Sequence, residues 1–122
     1  MKTVVVVVGL TIVVLLAVGC SGARVAATEK LTAAQRAVGD ATQSEAAIRA
    51  APEMQSAEAR LAQAKTAADD GSWEDAGRLA DEAYADAEYA RAQAATQRAR
   101  TSTDDMRQNV QLLRKELERT GR

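Results

Sequence analysis

The stretch AEARLAQAKTAADDGSWEDAGRLADEAYADAEYARAQAA, residues 57–95, decides the fold. On its near side Met54, Ala57, Leu61, Ala64 and Ala68 recur at alternating steps of three and four. On its far side Trp73, Ala76, Ala80, Ala83, Ala87, Ala90 and Ala94 keep the same rhythm. Residues so spaced share one face of a helix, so each half carries an apolar seam. Between the halves Gly71 supplies a residue free to take the left-handed conformation that closes a helix. Ser72, with Asp75 three places later, reads as an acidic capping box that opens the next one. Two helices joined by so short a turn fold back on each other as an antiparallel hairpin.

Upstream, Ala27, Leu31, Ala34, Val38, Ala41 and Ile48 extend the pattern to a first helix, with Glu45 at the one missed position. Pro52 ends that helix, because its ring disfavours helical geometry in the residue before it, and suits the first turn of the next. Alanine makes up about a quarter of the chain and no later stretch alternates with period two. The expected fold is therefore all-α: an alanine-rich antiparallel hairpin or three-helix bundle. Its helices are predicted at about residues 29–50, 52–70 and 73–119. TSTDD at 101–105 offers a second cap and a break in the last helix.

Alanine seams let helices approach closely, toward the lower end of the usual spacing of about 8–10 Å. Each alanine also buries little area, at roughly 25 cal/mol per Å². Beyond residue 105 the seam turns bulky, with Met106, Val110, Leu113 and Leu117 in one stripe. A continuous third helix would span roughly 70 Å at 1.5 Å per residue, longer than its hairpin partner. That overhang is expected to meet the first helix, another copy of the chain or a different protein. Of the three aromatics, Trp73 is expected to plug the turn end and Tyr84, flanking the seam, to be partly buried. Tyr89 falls off the seam and joins the stripe as a candidate contact with a partner.

The 122 residues contain no His and one Cys, and carry a formal net charge of −1. The balance gives no field for nucleic acid, which is not an expected partner. Without His the usual general base is missing, and no pair of carboxylates stands out for catalysis. No metal site, cofactor or catalytic residue is expected, and the chain does not read as an enzyme. The acids of the third helix precede its arginines, which suits the helix dipole on a solvated face.

The chain opens with Met1 and Lys2, then the apolar run VVVVVGLTIVVLLAV and Gly19 directly before Cys20. About 15 apolar residues fall short of the roughly 20 of a spanning helix and match an export signal. The segment Leu16, Ala17, Val18, Gly19, Cys20 resembles the cleavage site of bacterial lipoproteins. That resemblance implies removal of residues 1–19, with diacylglycerol and an N-acyl chain on Cys20 and a tether over residues 20–28. Two or more acyl chains hold a domain stably on a bilayer where one does not. Ser21, where Asp would direct retention in the inner membrane, implies the periplasmic face of the outer membrane.

The run from Ala51 to Ala95, with Pro52, AEARLAQAKTAA, Gly71, Leu79–Ala80 and Asp86–Ala87, resembles the bacterial envelope family called domain of unknown function 4398. The resemblance implies a structural or adaptor role in the cell envelope. A regulatory module for an envelope enzyme or transporter is the alternative. Partners would be the membrane through the lipid, a second copy, an envelope protein, or peptidoglycan. Arg114, Lys115, Arg119 and Arg122 suit noncovalent contact with the anionic wall. The hairpin is also similar to one tetratricopeptide unit, though no period of about 34 residues recurs to build an array.

Overall fold

The computed structural model describes residues 2–121, with side chains described from Gly22 to Gly121. The lipidation and sorting expectations for Cys20 and Ser21 lie outside the described side chains. Four helices follow in order: α1 (Lys2–Gln43), α2 (Ala46–Arg49), α3 (Ala51–Asp69) and α4 (Trp73–Thr120). No strand occurs among the described residues, and the fold is all-α as expected.

The α3–α4 turn forms as its glycine predicts. Gly71 adopts φ 78. Its N–H donates to the Ala68 carbonyl at 3.1 Å, and the Ser72 N–H donates to Ala67 at 2.8 Å. This pair of bonds is the Schellman motif, and it satisfies the last carbonyls of α3. The capping box does not form: the Ser72 side chain makes no cap bond. Asp75 turns instead to Arg78, at 3.3 Å. Pro52 sits in the first turn of α3, where its missing N–H costs nothing.

Side-chain pairs fix the directions. Arg60 of α3 reaches both Glu82 and Asp86 of α4, and Ser56, one turn earlier on α3, also bonds Asp86. Helices α3 and α4 therefore run antiparallel. A Cβ on Gly77 of α4 would lie 3.8 Å from the Ala27 backbone of α1, and Lys30 bonds Asp81 one turn further along both helices. Helix α1 thus runs parallel to α4 and packs against it and α3.

Among the described residues, fourteen of the sixteen buried apolar ones are alanines, the others being Met54 and Leu61. All but Ala27 and Ala76 fall in two clusters. The lower joins Ala34, Leu61, Ala64, Ala80 and Ala83, with Leu31, Val38 and Leu79 at its edge. The upper joins Ala37, Ala41, Ala46, Ala50, Met54 and Ala57 with Ala87, Ala90 and Ala94. The predicted seams of α3 and α4 are these buried residues, apart from half-buried Ala68 and Trp73.

The first helix departs from expectation at both ends. It does not begin near Thr28: that hydroxyl donates to the Arg24 carbonyl one turn back, at 2.8 Å, inside a continuous helix. Residues 20–28, expected as a tether, belong to α1. Ala23, Ala26 and Ala27 are strong helix formers, and Ala27 is buried. Helix α1 then stops at Gln43 rather than near residue 50. Ser44 bonds the Ala41 carbonyl through its hydroxyl, and Glu45 takes the left-handed conformation at φ 65. The chain must reverse to enter α3, and the one-turn α2 makes the corner. Ala46 and Ala50 point inward there, whereas Ile48, predicted on the seam, is 82% exposed.

Helix α4 is unbroken through 101–105. The Thr101 and Thr103 hydroxyls donate to the carbonyls of Gln97 and Ala99, four residues back, so they stay within the helix instead of capping a new one.

Candidate functional site

Every described residue from Ala95 onward on α4 is exposed. Ala95 and Arg98 still line a recess with Ser44 at the corner, so the overhang runs from about residue 99 to Thr120, roughly 33 Å of helix at 1.5 Å per residue. The overhang does not pack on α1. Parallel packing brings α1 to its end beside Ala87, Ala90 and Ala94, and α2 turns the chain away there.

The predicted contact residues lie here with their surfaces open. Met106 is 66% exposed, Leu113 65% and Leu117 71%, while Val110 is the most sheltered at 43%. Spaced by four, three and four, they form one stripe. Ser102, Thr103, Met106, Arg107, Val110, Gln111 and Arg114 line a shallow open depression along it. Leu112 is also exposed and lies off the stripe. The ion pairs of the overhang, Arg107–Asp104 and Arg119–Glu116, stay within the helix.

Tyr89 is exposed on the bundled part of α4, about opposite the buried Ala87. It stands three heptads before Val110. A straight helix drifts about 20° per heptad, so Tyr89 looks to the same side as the stripe, rotated by about 60°. Tyr84, expected to be partly buried beside the alanine seam, is 47% exposed.

At the opposite end Trp73 is half-buried, as a plug on the turn should be. Arg24 of α1 stacks its guanidinium 5.3 Å from the ring centroid. Such a cation–π contact adds about 0.5–1 kcal/mol at an exposed site. Trp73 lines a recess with Ala23, Ala27, Lys30 and Gly77, so this end of the bundle is closed by α1 and α4 together.

Several working residues were not singled out in the sequence. Arg60 and Lys30 pin α4 to its two neighbours, and their partners Glu82, Asp86 and Asp81 belong to the acids that the sequence places on a solvated face. The signal was available: Glu82 and Asp86 are spaced by four beside the alanine seam, where a long basic side chain from the facing helix can reach both. Glu45 is a further case. The Arg49 guanidinium, hydrogen-bonded to it at 2.8 Å, holds its carboxyl below the ordinary value of 4.5.

Among the described residues no cluster of His, Cys, Asp or Glu could hold a metal ion, and no helix is long and apolar enough to cross a membrane. The family described as Domain of unknown function (DUF4398) matches residues 29–106, well over half of the chain. The match takes in the bundle from Glu29 and stops at Met106, so Val110, Leu113 and Leu117 fall outside it. No curated protein and no solved structure matches the chain.

Proposed function

We propose that this chain, which belongs to the DUF4398 family, is a lipid-anchored rod of the bacterial envelope that acts as a structural element or adaptor and carries out no chemistry. The observation that carries the reading is the parallel course of α1 and α4. It sets the N-terminal side of α1 and the open end of α4 at opposite poles of the bundle. An anchor at Cys20 would lie at the pole closed by Trp73, and the overhang would point away from the membrane. The tip of α4 would stand about 65 Å beyond the level of Ala27, at 1.5 Å per residue.

The apolar run ending at Gly19 and Cys20 supports the anchor, and Ser21 supports the periplasmic face of the outer membrane. The core supports a structural role. It is alanine apart from Met54 and Leu61, with no buried polar side chain among the described residues that could be aimed at a substrate. Arg114, Lys115 and Arg119 at the far pole would suit noncovalent contact with the anionic cell wall.

Mass spectrometry of the mature N-terminus, with separation of inner and outer membranes, tests the reading. Acylated Cys20 as residue one, in the outer membrane, is the expected result. An unmodified thiol on Cys20 rejects the anchor.

The exposed stripe favours a second reading, a regulatory module that engages an envelope enzyme or transporter through Tyr89 or residues 106–117. Truncation at Ser102 separates the two in part. Loss of one specific partner while the bundle stays folded favours the module.

A further inference from the structure

The overhang of α4 has a charge pattern that selects its own partner. We propose that Met106, Val110, Leu113 and Leu117 pair with the same residues of a second copy as a short parallel two-stranded coiled coil.

With Val110 and Leu117 at heptad position a, Met106 and Leu113 fall at d, a β-branched a residue alternating with leucine at d in the heptad centred on 110–113. Parallel dimers favour that combination. The flanking positions then decide orientation. Arg100, Arg107 and Arg114 occupy e, and Ser102, Asn109 and Glu116 occupy g. In a parallel pair e faces g: Arg107 meets Ser102 of the second copy and Arg114 meets Asn109, each a donor opposite an acceptor. In an antiparallel pair e faces e, and Arg107 would meet Arg114 at both ends of the contact. Like charges opposed in this way are a barrier to the wrong orientation. An acidic helix would also fit beside the arginines, but it would not account for Ser102 and Asn109 on the other flank.

The parallel pair has its two-fold axis along the helices, so each residue meets its own counterpart. Both bundles lie at one end of it, with both α1 segments directed the same way. Two anchors in one membrane require this, and to that extent the inference rests on the function proposed above. Four layers are fewer than the three to four heptads of a freely associating coiled coil. Pairing is accordingly weak in dilute solution and strengthens where copies are concentrated together.

The test is photo-crosslinking of the full chain in cells that express two differently tagged copies. The photoreactive p-benzoylphenylalanine replaces Met106 or Leu117 on the stripe, or Gln108 on the opposite face. The expected result is a covalent species carrying both tags from Met106 and Leu117, with little from Gln108. In that species the Met106 probe attaches near Met106 of the other copy. Introducing Val110→Glu with Leu113→Glu lowers the yield at least about tenfold, because two charges enter a desolvated seam. Circular dichroism of that variant verifies that the bundle, which these residues do not touch, is still helical.

Attachment of the Met106 probe near Leu117 overturns the parallel arrangement. Equal yield from Gln108, capture of a different protein alone, or absence of the doubly tagged species overturns self-pairing. An unmodified Cys20 would remove the anchor and leave the crosslink standing, so the two failures are distinguishable.

Discussion

Arg60 of α3 donates to Asp86 of α4 across the hairpin at 2.5 Å, and Ser56 donates to the same carboxylate oxygen at 2.6 Å. Asp86 is the more sheltered partner, its side chain 24% exposed against 39% for Arg60. Alanine seams are smooth, and a smooth seam can slide by one turn at little cost. A cross-helix bond at a fixed height holds the register.

A double-mutant cycle with Arg60→Ala and Asp86→Ala should therefore give a coupling of about 1 kcal/mol, the upper end for a partly exposed pair. Urea unfolding monitored by circular dichroism measures it. Additive single effects would show that the pair contributes nothing to the fold.

Gly77→Ala should stabilise the bundle. A Cβ there meets Lys30 Cδ at 3.5 Å and Ala27 at 3.8 Å, both ordinary van der Waals contacts. The helix interior gains about 0.8–1.0 kcal/mol in propensity. A lower midpoint in urea would mean that α1 and α4 pack too closely at this height to accept a methyl group.

Ala83→Leu should cost about 1–3 kcal/mol by overpacking, since Ala83 is fully buried in the lower cluster. Leu113→Gln, on the exposed overhang, should leave the unfolding free energy of the monomer within about 0.5 kcal/mol. Thermal melts at low protein concentration compare the two, and a large effect at Leu113 would show that the overhang folds back.

Glu45→Gly should raise the melting temperature, because a side chain at φ 65 is strained and glycine is not. Unchanged or lower thermal stability would mean that the Glu45–Arg49 pair outweighs the strain.

The Glu45 carboxyl should titrate below 4.5, chiefly through its hydrogen bond to Arg49 and then through the charge of Arg49. The lowered value makes the contribution of this contact to stability fully present above the ordinary carboxyl value. It fades as the pH falls through the folded one. Carbon-detected NMR reads the midpoint, and Arg49→Ala should bring it back to about the ordinary value.

The helical seams were legible because helix periodicity is local chemistry. Met54 to Ala64 and Ala76 to Ala94 read as buried faces from spacing alone, and they are buried. Gly71 and Pro52 were equally plain, since each has a backbone property no neighbour can override. The 101–105 segment misled because the hydroxyls of Thr101 and Thr103 have a choice. A serine or threonine can cap a new helix or bond back to its own, and sequence does not say which.

By itself, then, the sequence determined an all-α chain, three apolar seams and one tight turn, because each depends on residues three or four apart. Tertiary structure decided where α1 ends and why Ile48 faces water: the corner at Glu45 forms to bring α3 back against distant segments. It also decided that Lys30 and Arg60 find Asp81, Glu82 and Asp86, pairs that exist only once separate helices are packed in register. Above all it set α1 parallel to α4, which leaves the last turns of α4 with no helix beside them. A seam records that a face will be covered, and only the packed helices reveal which part of it stays open.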